Sequence, residues 1–403
     1  MVISVCVDVS FLRSTLTGVG HYTLEVVKAL EKLRPEAMPP AEEEARITLD
    51  AFDGFRPRPL RDFLDRMERR ENRNAAFAAN RRERHFGVRA RAIVNHYGGA
   101  AVRRYHRVRS RSRYDVFHAT NFFPPVPFGS AVVPVIHDLS VMRHPEYHPP
   151  ERVRWFDRHI GSILSAPCIL TTSEFSAREI STLLGIAPER IRVAYPGVDR
   201  RFFEPETEAD DAVLARFGVE RFRYALSVST LEPRKNLRTL VDAYGRLPAG
   251  VRANLPLVLV GQEGWGELDW PKGTDELVRA GQIRFTGYVD DIVLRTLYRG
   301  AAGFFYPSLY EGYGMPVTEA LACGAPVIVA GGGATEEAAV GMGLLVDPLD
   351  TEAWTEALIR ADQDMQSNDP AARHMRRVAA AVRTWEVTAR ATRNAYIEAA
   401  AAK

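Results

Sequence analysis

Apolar residues in this chain fall into short continuous runs separated by stretches with helical spacing, and the alternation occurs twice. The first series comprises Val2-Ile-Ser-Val-Cys-Val-Asp8, Ile47-Thr-Leu-Asp-Ala-Phe52, Tyr114-Asp-Val-Phe-His-Ala119, Val132-Val-Pro-Val-Ile-His137, Cys168-Ile-Leu-Thr-Thr172 and Ile191-Arg-Val-Ala-Tyr195. Apolar runs without polar alternation suit strands covered on both faces, and intervening helices are what cover a parallel sheet. A helix is predicted from Tyr22 to Leu33, and another after Ser173, whose hydroxyl suits an N-cap. Pro196-Gly-Val-Asp199 then breaks the pattern, and Phe202-Phe-Glu-Pro-Glu-Thr-Glu208 reads as a linker. The second series runs through Tyr224-Ala-Leu-Ser-Val228, Leu257–Val260, Ile283-Arg-Phe285, Gly303–Tyr306, Pro326-Val-Ile-Val-Ala330 and Gly343–Val346, and an Ala-rich helical tail follows from Ala371. The fold class is therefore α/β, with two doubly wound, Rossmann-like parallel sheets in tandem. Such sheets bind ligands in the crevice beyond the carboxyl ends of their strands. The boundaries expected are 1–199, 200–375, and a last segment, 376–403.

At 403 residues, two cores are the natural expectation. A hydrophobic content of 46% with 26% charged residues is that of a soluble globular protein. No apolar run reaches the ~18–20 residues needed to span a bilayer. The chain opens directly on a strand without a basic leader, so no secretory signal is expected. Three scattered cysteines, Cys6, Cys168 and Cys323, show neither metal-ligand spacing nor a disulfide framework, which fits a reducing cytoplasm. The net charge of +2 hides a strong asymmetry, since Arg56–Arg113 holds 18 arginines against five acidic residues. Phe63, Phe77, Phe86 and Tyr97 punctuate this block, but no nucleic-acid-binding motif does. Its amphipathic pieces suit a solvated helical face, a membrane surface or a lipid diphosphate better than nucleic acid.

The densest chemistry lies in Ser308-Leu-Tyr-Glu-Gly-Tyr-Gly-Met-Pro-Val-Thr-Glu-Ala-Leu-Ala-Cys-Gly324. Pro316 suits the first position of a helix and Gly324 the position past its end. A strand, a glycine turn and a helix start bring free N–H groups and the positive end of a dipole to one spot, which binds phosphate. Two glutamates, Glu311 and Glu319, flank that spot and suit the hydroxyls on either side of a phosphate. Adjacent Arg234 and Lys235, at the end of another strand, offer a guanidinium fork and a point charge to a diphosphate. His137-Asp138 ends a buried strand and points into the crevice.

The Glu311/Glu319 segment resembles the E-x7-E signature of retaining GT-B glycosyltransferases, in particular glycosyltransferase family 4, the group 1 family. The resemblance runs from Thr17-Gly-Val-Gly-His-Tyr22 to Leu344-Leu-Val-Asp-Pro348 and is strongest from Tyr224 onward. It implies the GT-B fold, a nucleotide-sugar donor as substrate and no cofactor. By that resemblance Arg234 and Lys235 take the leaving diphosphate with the amides of Gly314, Met315, Pro316 and Val317. Glu311 would hold the sugar hydroxyls, Glu319 the ribose and His137 the transferred sugar. Gly18 and Gly20 abut the donor phosphates, and Gly261 admits the nucleotide. Tyr288 and Val289 lie where the family binds the base. The phrases Thr17–Tyr22 and Thr230-Leu-Glu-Pro-Arg-Lys-Asn236 look like bacterial polysaccharide mannosyltransferases, which points to mannose from GDP-mannose, with UDP-hexoses and deoxyhexoses as the other donors. The acceptor implied is a saccharide, a growing surface-polysaccharide chain on a polyprenyl diphosphate at the inner membrane surface, which would account for the Arg block, with lipid, protein and free sugar as the other acceptors. The last segment, around Trp385–Tyr396, is expected to pack back on the first unit.

Several alternatives bound this picture. Gly18-Val-Gly20 is too short for a dinucleotide fingerprint, and the nearest acids, Glu42–Glu44, precede the next strand instead of ending it. Asp362-Gln-Asp364, the one Asp-x-Asp, lies in a polar stretch away from any glycine turn, so no metal site is expected. His118 suits either the acceptor or loop packing, and His144 and His148 are read as structural. Ala330-Gly-Gly-Gly-Ala-Thr-Glu-Glu337 departs from the family's turn, and neither Glu336 nor Glu337 receives a role. A non-catalytic nucleotide-sugar-binding partner, or a GT-B epimerase or phosphorylase, is the alternative function.

Overall fold

A computed structural model of the protein describes residues 2–13, 18–33, 46–54, 57–68, 114–124, 130–363 and 369–402. Most of the Arg-rich segment, together with Thr17, Glu42–Glu44 and Asp364, lies outside the described residues.

The first sheet contains β1 (Val2–Asp8), β2 (Arg46–Phe52), β3 (Pro57–Pro59), β4 (Val116–Ala119), β5 (Ala131–Ile136), β6 (Ile169–Thr171) and β7 (Ile191–Val193), in the order β3-β2-β1-β4-β5-β6-β7. Only the short β3 runs antiparallel. The second sheet contains β8 (Ala225–Val228), β9 (Leu257–Val260), β10 (Ile283–Gly287), β11 (Gly303–Tyr306), β12 (Val327–Ala330) and β13 (Gly343–Val346), in the parallel order β10-β9-β8-β11-β12-β13. β9, β11 and β12 are buried along their whole length, as strands with helices on both faces must be. β13, at the edge, leaves Leu344 and Leu345 exposed. In both sheets the order reverses beside the first strand, next to β4 in one and next to β11 in the other. The loops after β5, β8 and β11 open on the same crevice, where Gly312 meets His137 and Arg234 meets Glu311.

The sequence pattern misplaced some boundaries. The first helix is Gly18–Lys32 rather than starting at Tyr22, so Gly18 and Gly20 belong to its first turn and not to a loop. The helix Met315–Ala322 carries Pro316 at its second position, after Gly314 as N-cap. The linker holds a 3-10 turn, Arg200–Phe203, whose Phe202 is buried in the second core. The tail is two helices, Pro370–Ala380 and Trp385–Ala401, separated where the chain crosses between the units. The former packs on Met315–Ala322 and the latter on Gly18–Lys32. Ala389, Ala395, Tyr396 and Ala399 complete the first core. At the crossing Val198 N–H donates to Arg383 O (2.9 Å) and Thr388 Oγ1 to Tyr195 O (2.6 Å).

Candidate active site

The site begins with two neighbouring strands, β8 and β11, whose following loops touch. After β8 the chain enters a 3-10 turn, Pro233–Lys235, closed by Asn236 at φ 54°. Asn236 Nδ2 donates to Pro307 O (3.0 Å) and Pro348 O (2.7 Å), which pins this turn to the end of β11. Arg234 and Lys235 are thereby aimed at Glu311. Its Oε1 accepts from Lys235 Nζ (2.5 Å), Ser308 Oγ (2.7 Å) and Tyr306 OH (2.8 Å), and its Oε2 accepts from Arg234 Nη1 (3.1 Å). Arg234 also donates to Tyr310 O (2.6 Å) and, through Nη2, to Glu232 Oε1 (2.8 Å).

Glu311 is 8% exposed. Burial pushes its carboxyl up, but the charges of Lys235 and Arg234 and the bonds from Lys235 and Ser308 outweigh that and hold it at about 2. Asp138 faces the same guanidinium. Burial opposes its ionisation, and Arg234 with the Ser140 hydroxyl and amide keeps its carboxyl below the usual range. The cluster thus sets three carboxylates (Asp138, Glu232, Glu311) against two cations. A diphosphate must compete with Glu311 for Arg234 and Lys235. Of the amides expected at the helix start, Pro316 has none and Val317 N–H is turned back to Gly314 O (2.9 Å). Gly314 and Met315 remain as donors.

The first unit closes over this cluster. A Cβ on Gly312 would lie 1.9 Å from His137 O, so only glycine lets Glu311's neighbour approach β5 this closely. Gly312 O is met by Ser173 Oγ (2.7 Å), Thr172 Oγ1 (3.0 Å) and Ser176 Oγ (3.1 Å), and Thr172 Oγ1 also lies 3.1 Å from His137 O. His137 Nε2 bonds Thr120 O (2.9 Å); because a carbonyl only accepts, the proton sits on Nε2, and burial keeps the ring neutral. Tyr22 stands edge-on to that imidazole at 4.9 Å. Gly18 faces the Met315 side chain, so the first helix meets the proposed phosphate site, while Gly20 is buried within it.

The remaining predicted residues are scattered along the second unit. Glu319 accepts from Tyr298 OH (3.1 Å), and burial, with Asp291 and Asp199 nearby, raises its carboxyl to about 7. Val289 packs against the second core, whereas Tyr288 is exposed. Gly261 faces the loop after β8. A Cβ there would sit 1.8 Å from Ser229 O, so the glycine serves contact between the loops after β8 and β9. His118 is fully buried and paired with Tyr396 OH (2.6 Å), which is a packing contact with the last helix. Residue-by-residue reading passed over Glu232 and Gly312. The only signal for Glu232 was its place two residues before Arg234, and for Gly312 its place between the glutamate and the helix. A cavity of about 1360 Å³ beside the crossing, lined by Glu25, Lys28, Asp199, Arg200, Arg383 and Trp385 among others, shares no residue with this cluster.

Two parallel, Rossmann-like sheets in tandem, with a last helix crossing back onto the first, make up the GT-B fold. The chain belongs to glycosyltransferase family 4: residues 16–202 match Glycosyltransferase Family 4, and residues 215–379 match Glycosyl transferases group 1. O-antigen chain mannosyltransferase B of Escherichia coli is 33% identical over 355 residues, covering 88% of this chain and 89% of that protein. D-inositol 3-phosphate glycosyltransferase of Kribbella flavida is 28% identical over 326 residues, 73% of this chain and 74% of that one. In fold, the chain is similar to Anabaena HepE crystallised with UDP-glucose, at a TM-score of 0.66 and 17% identity over 97% of this chain and 99% of that one.

Proposed function

We propose that this glycosyltransferase moves a hexose, mannose from GDP-mannose, onto a growing surface-polysaccharide saccharide carried on a polyprenyl diphosphate. The observation that carries the reading is the meeting of Arg234, Lys235 and Glu311 beside the start of Met315–Ala322, directly across from His137. The similarity to an O-antigen chain mannosyltransferase supports the choice of sugar and acceptor. In this reading Arg234, Lys235 and the Gly314 and Met315 amides stabilise the departing diphosphate. Such preorganised donors are each worth ~10²–10³-fold in rate. Glu311 Oε2 keeps acceptor capacity for a sugar hydroxyl, Glu319 takes the ribose, and His137 borders the sugar. The acceptor hydroxyl attacks the anomeric carbon on the face the diphosphate leaves, the carbon–oxygen bond to phosphate breaks, and the hydroxyl proton passes to the leaving phosphate oxygen. That route retains configuration and, with two cations already placed, requires no metal ion. The Arg-rich segment 56–113 would carry the inner membrane surface contact. Among the described residues no helix is long and apolar enough to cross a membrane.

The test combines thermal stabilisation by GDP, UDP, ADP and TDP, with and without magnesium, and mass-spectrometric detection of transfer from GDP-mannose to a polyprenyl-diphosphate saccharide. A metal-independent shift with GDP and a hexose added to the acceptor are expected. A shift with UDP alone would overturn the donor, and nucleotide binding without turnover of any donor would favour the binding-partner alternative.

A further inference from the structure

We propose that Glu337 is a positioning residue for the transfer, a latch from the second unit that docks on a helix start of the first and sets His137 against Glu311. This rests on the transferase reading of the same crevice. The helix Glu174–Leu184 follows β6 in the first unit. Its N-cap, Ser173, satisfies only the Ser176 amide (3.0 Å). The next two free amides, Glu174 N–H and Phe175 N–H, donate to Glu337 Oε2 (2.8 Å) and Oε1 (2.6 Å). Tyr195 OH, also from the first unit, donates to Oε2 (3.0 Å), and Arg178 lies 3.9 Å from Oε1. Glu337 itself belongs to Ala334–Ala338, a short helix of the second unit. A carboxylate here matches both the unpaired N–H groups and the positive end of the helix dipole, and hydrogen bonds to an ionised acceptor are the stronger kind.

The placement gives this contact its consequence. Ser173 and Ser176, in the same first turn, hold Gly312 O beside the His137 carbonyl, and Tyr195 packs its ring on Tyr313 at 5.9 Å. Glu337 therefore clamps the element on which the Glu311 loop seats. Parting the units would return the carboxylate and both amides to water and separate Glu311 from His137. The diphosphate ligands Arg234 and Lys235 both belong to the second unit, so releasing the latch leaves nucleotide contacts in place while disturbing the sugar's surroundings.

The experiment compares wild type, Glu337→Gln and Tyr195→Phe by small-angle scattering without nucleotide, by GDP affinity, and by kcat and KM for donor. The expected result for Glu337→Gln is a larger radius of gyration and a kcat lowered about tenfold to a hundredfold, the range set by losing charge-assisted bonds. GDP affinity should stay within about threefold, and Tyr195→Phe should move the same quantities less. High salt should open the wild type in the same direction. Scattering and kcat like the wild type would overturn the proposal. So would a parallel loss of kcat, GDP affinity and folding stability, which marks a merely structural contact. An opened variant of a protein that turns over no donor would leave the latch standing and refute the transferase reading instead.

Discussion

Replacing Glu311 by glutamine keeps its shape and removes the charge on which Lys235 and Arg234 converge. In the folded protein the carboxyl sits at about 2 against an ordinary 4.5. At 1.36 kcal/mol per pKa unit this gap is worth roughly 3 kcal/mol, similar to the cost of removing one partner of a buried ion pair. Because the folded value is the lower one, that stabilisation is complete above pH 4.5 and is lost as pH falls toward 2. At pH 7 the nucleotide-free variant is therefore expected to lose about 3 kcal/mol in urea unfolding. GDP should restore part of that loss, since its diphosphate supplies the anion that Lys235 loses with Glu311, while Arg234 keeps Glu232. Nucleotide affinity measured calorimetrically should equal or exceed that of the wild type. Transfer should fall by ~10²-fold or more, because the sugar loses its carboxylate. A folded variant whose GDP affinity drops tenfold would show that Arg234 and Lys235 do not meet the diphosphate. A variant that keeps wild-type turnover would remove Glu311 from the site altogether.

Glu319, raised to about 7 by burial and then by Asp291 and Asp199, should give the donor KM a pH dependence. Below pH 7 it takes up a proton and loses the charge that strengthens its bonds from ribose hydroxyls, so KM rises as pH falls and stays flat above; Glu319→Gln should abolish that slope. The same raised value means the native protein gains a proton between pH 4.5 and 7, so wild-type stability falls across that window as pH rises, a trend the glutamine variant should lack in urea unfolding. Gly261→Ala, with its Cβ 1.8 Å from Ser229 O at φ 147°, should cost about 2–4 kcal/mol by denaturation. Tyr396→Phe strips the partner from buried His118, whose ring burial holds neutral at about 3. A loss of about 1–3 kcal/mol is expected, constant between pH 5 and 8 and with GDP affinity unchanged, read by urea unfolding and calorimetry.

Much of the architecture was legible because burial writes itself into local pattern. Leu257–Val260 and Gly303–Tyr306 are apolar on both faces, and a strand with that composition has few other places to go. Ser173 announced its helix through the hydroxyl that caps it. Arg234, Lys235 and Glu311 stood out because strand ends with that chemistry seldom serve packing. Helix starts were less legible. Gly18 and Gly20 look like turn residues by propensity, yet the helix begins on them because Tyr22, Leu24, Val26 and Val27 are buried against the first core and the Trp385–Ala401 helix. Tertiary packing there outweighs the weak local preference.

Chain composition and periodicity thus specified two parallel α/β units and the residue types at their strand ends, since each depends on a residue's own neighbours in sequence. Pairing between distant loops depends instead on strand order, which no local pattern records. Only because β8 lies beside β11 does Lys235 reach Glu311, 76 residues away, and occupy it. Only the meeting of the two units presses Gly312 against His137 and sets Glu337, a residue with no signal of its own, on the amides of Glu174 and Phe175. The charges of Glu311 and Glu319 diverge for the same reason: one carboxylate is buried among cations and the other beside further acids, and solvent exclusion amplifies that difference.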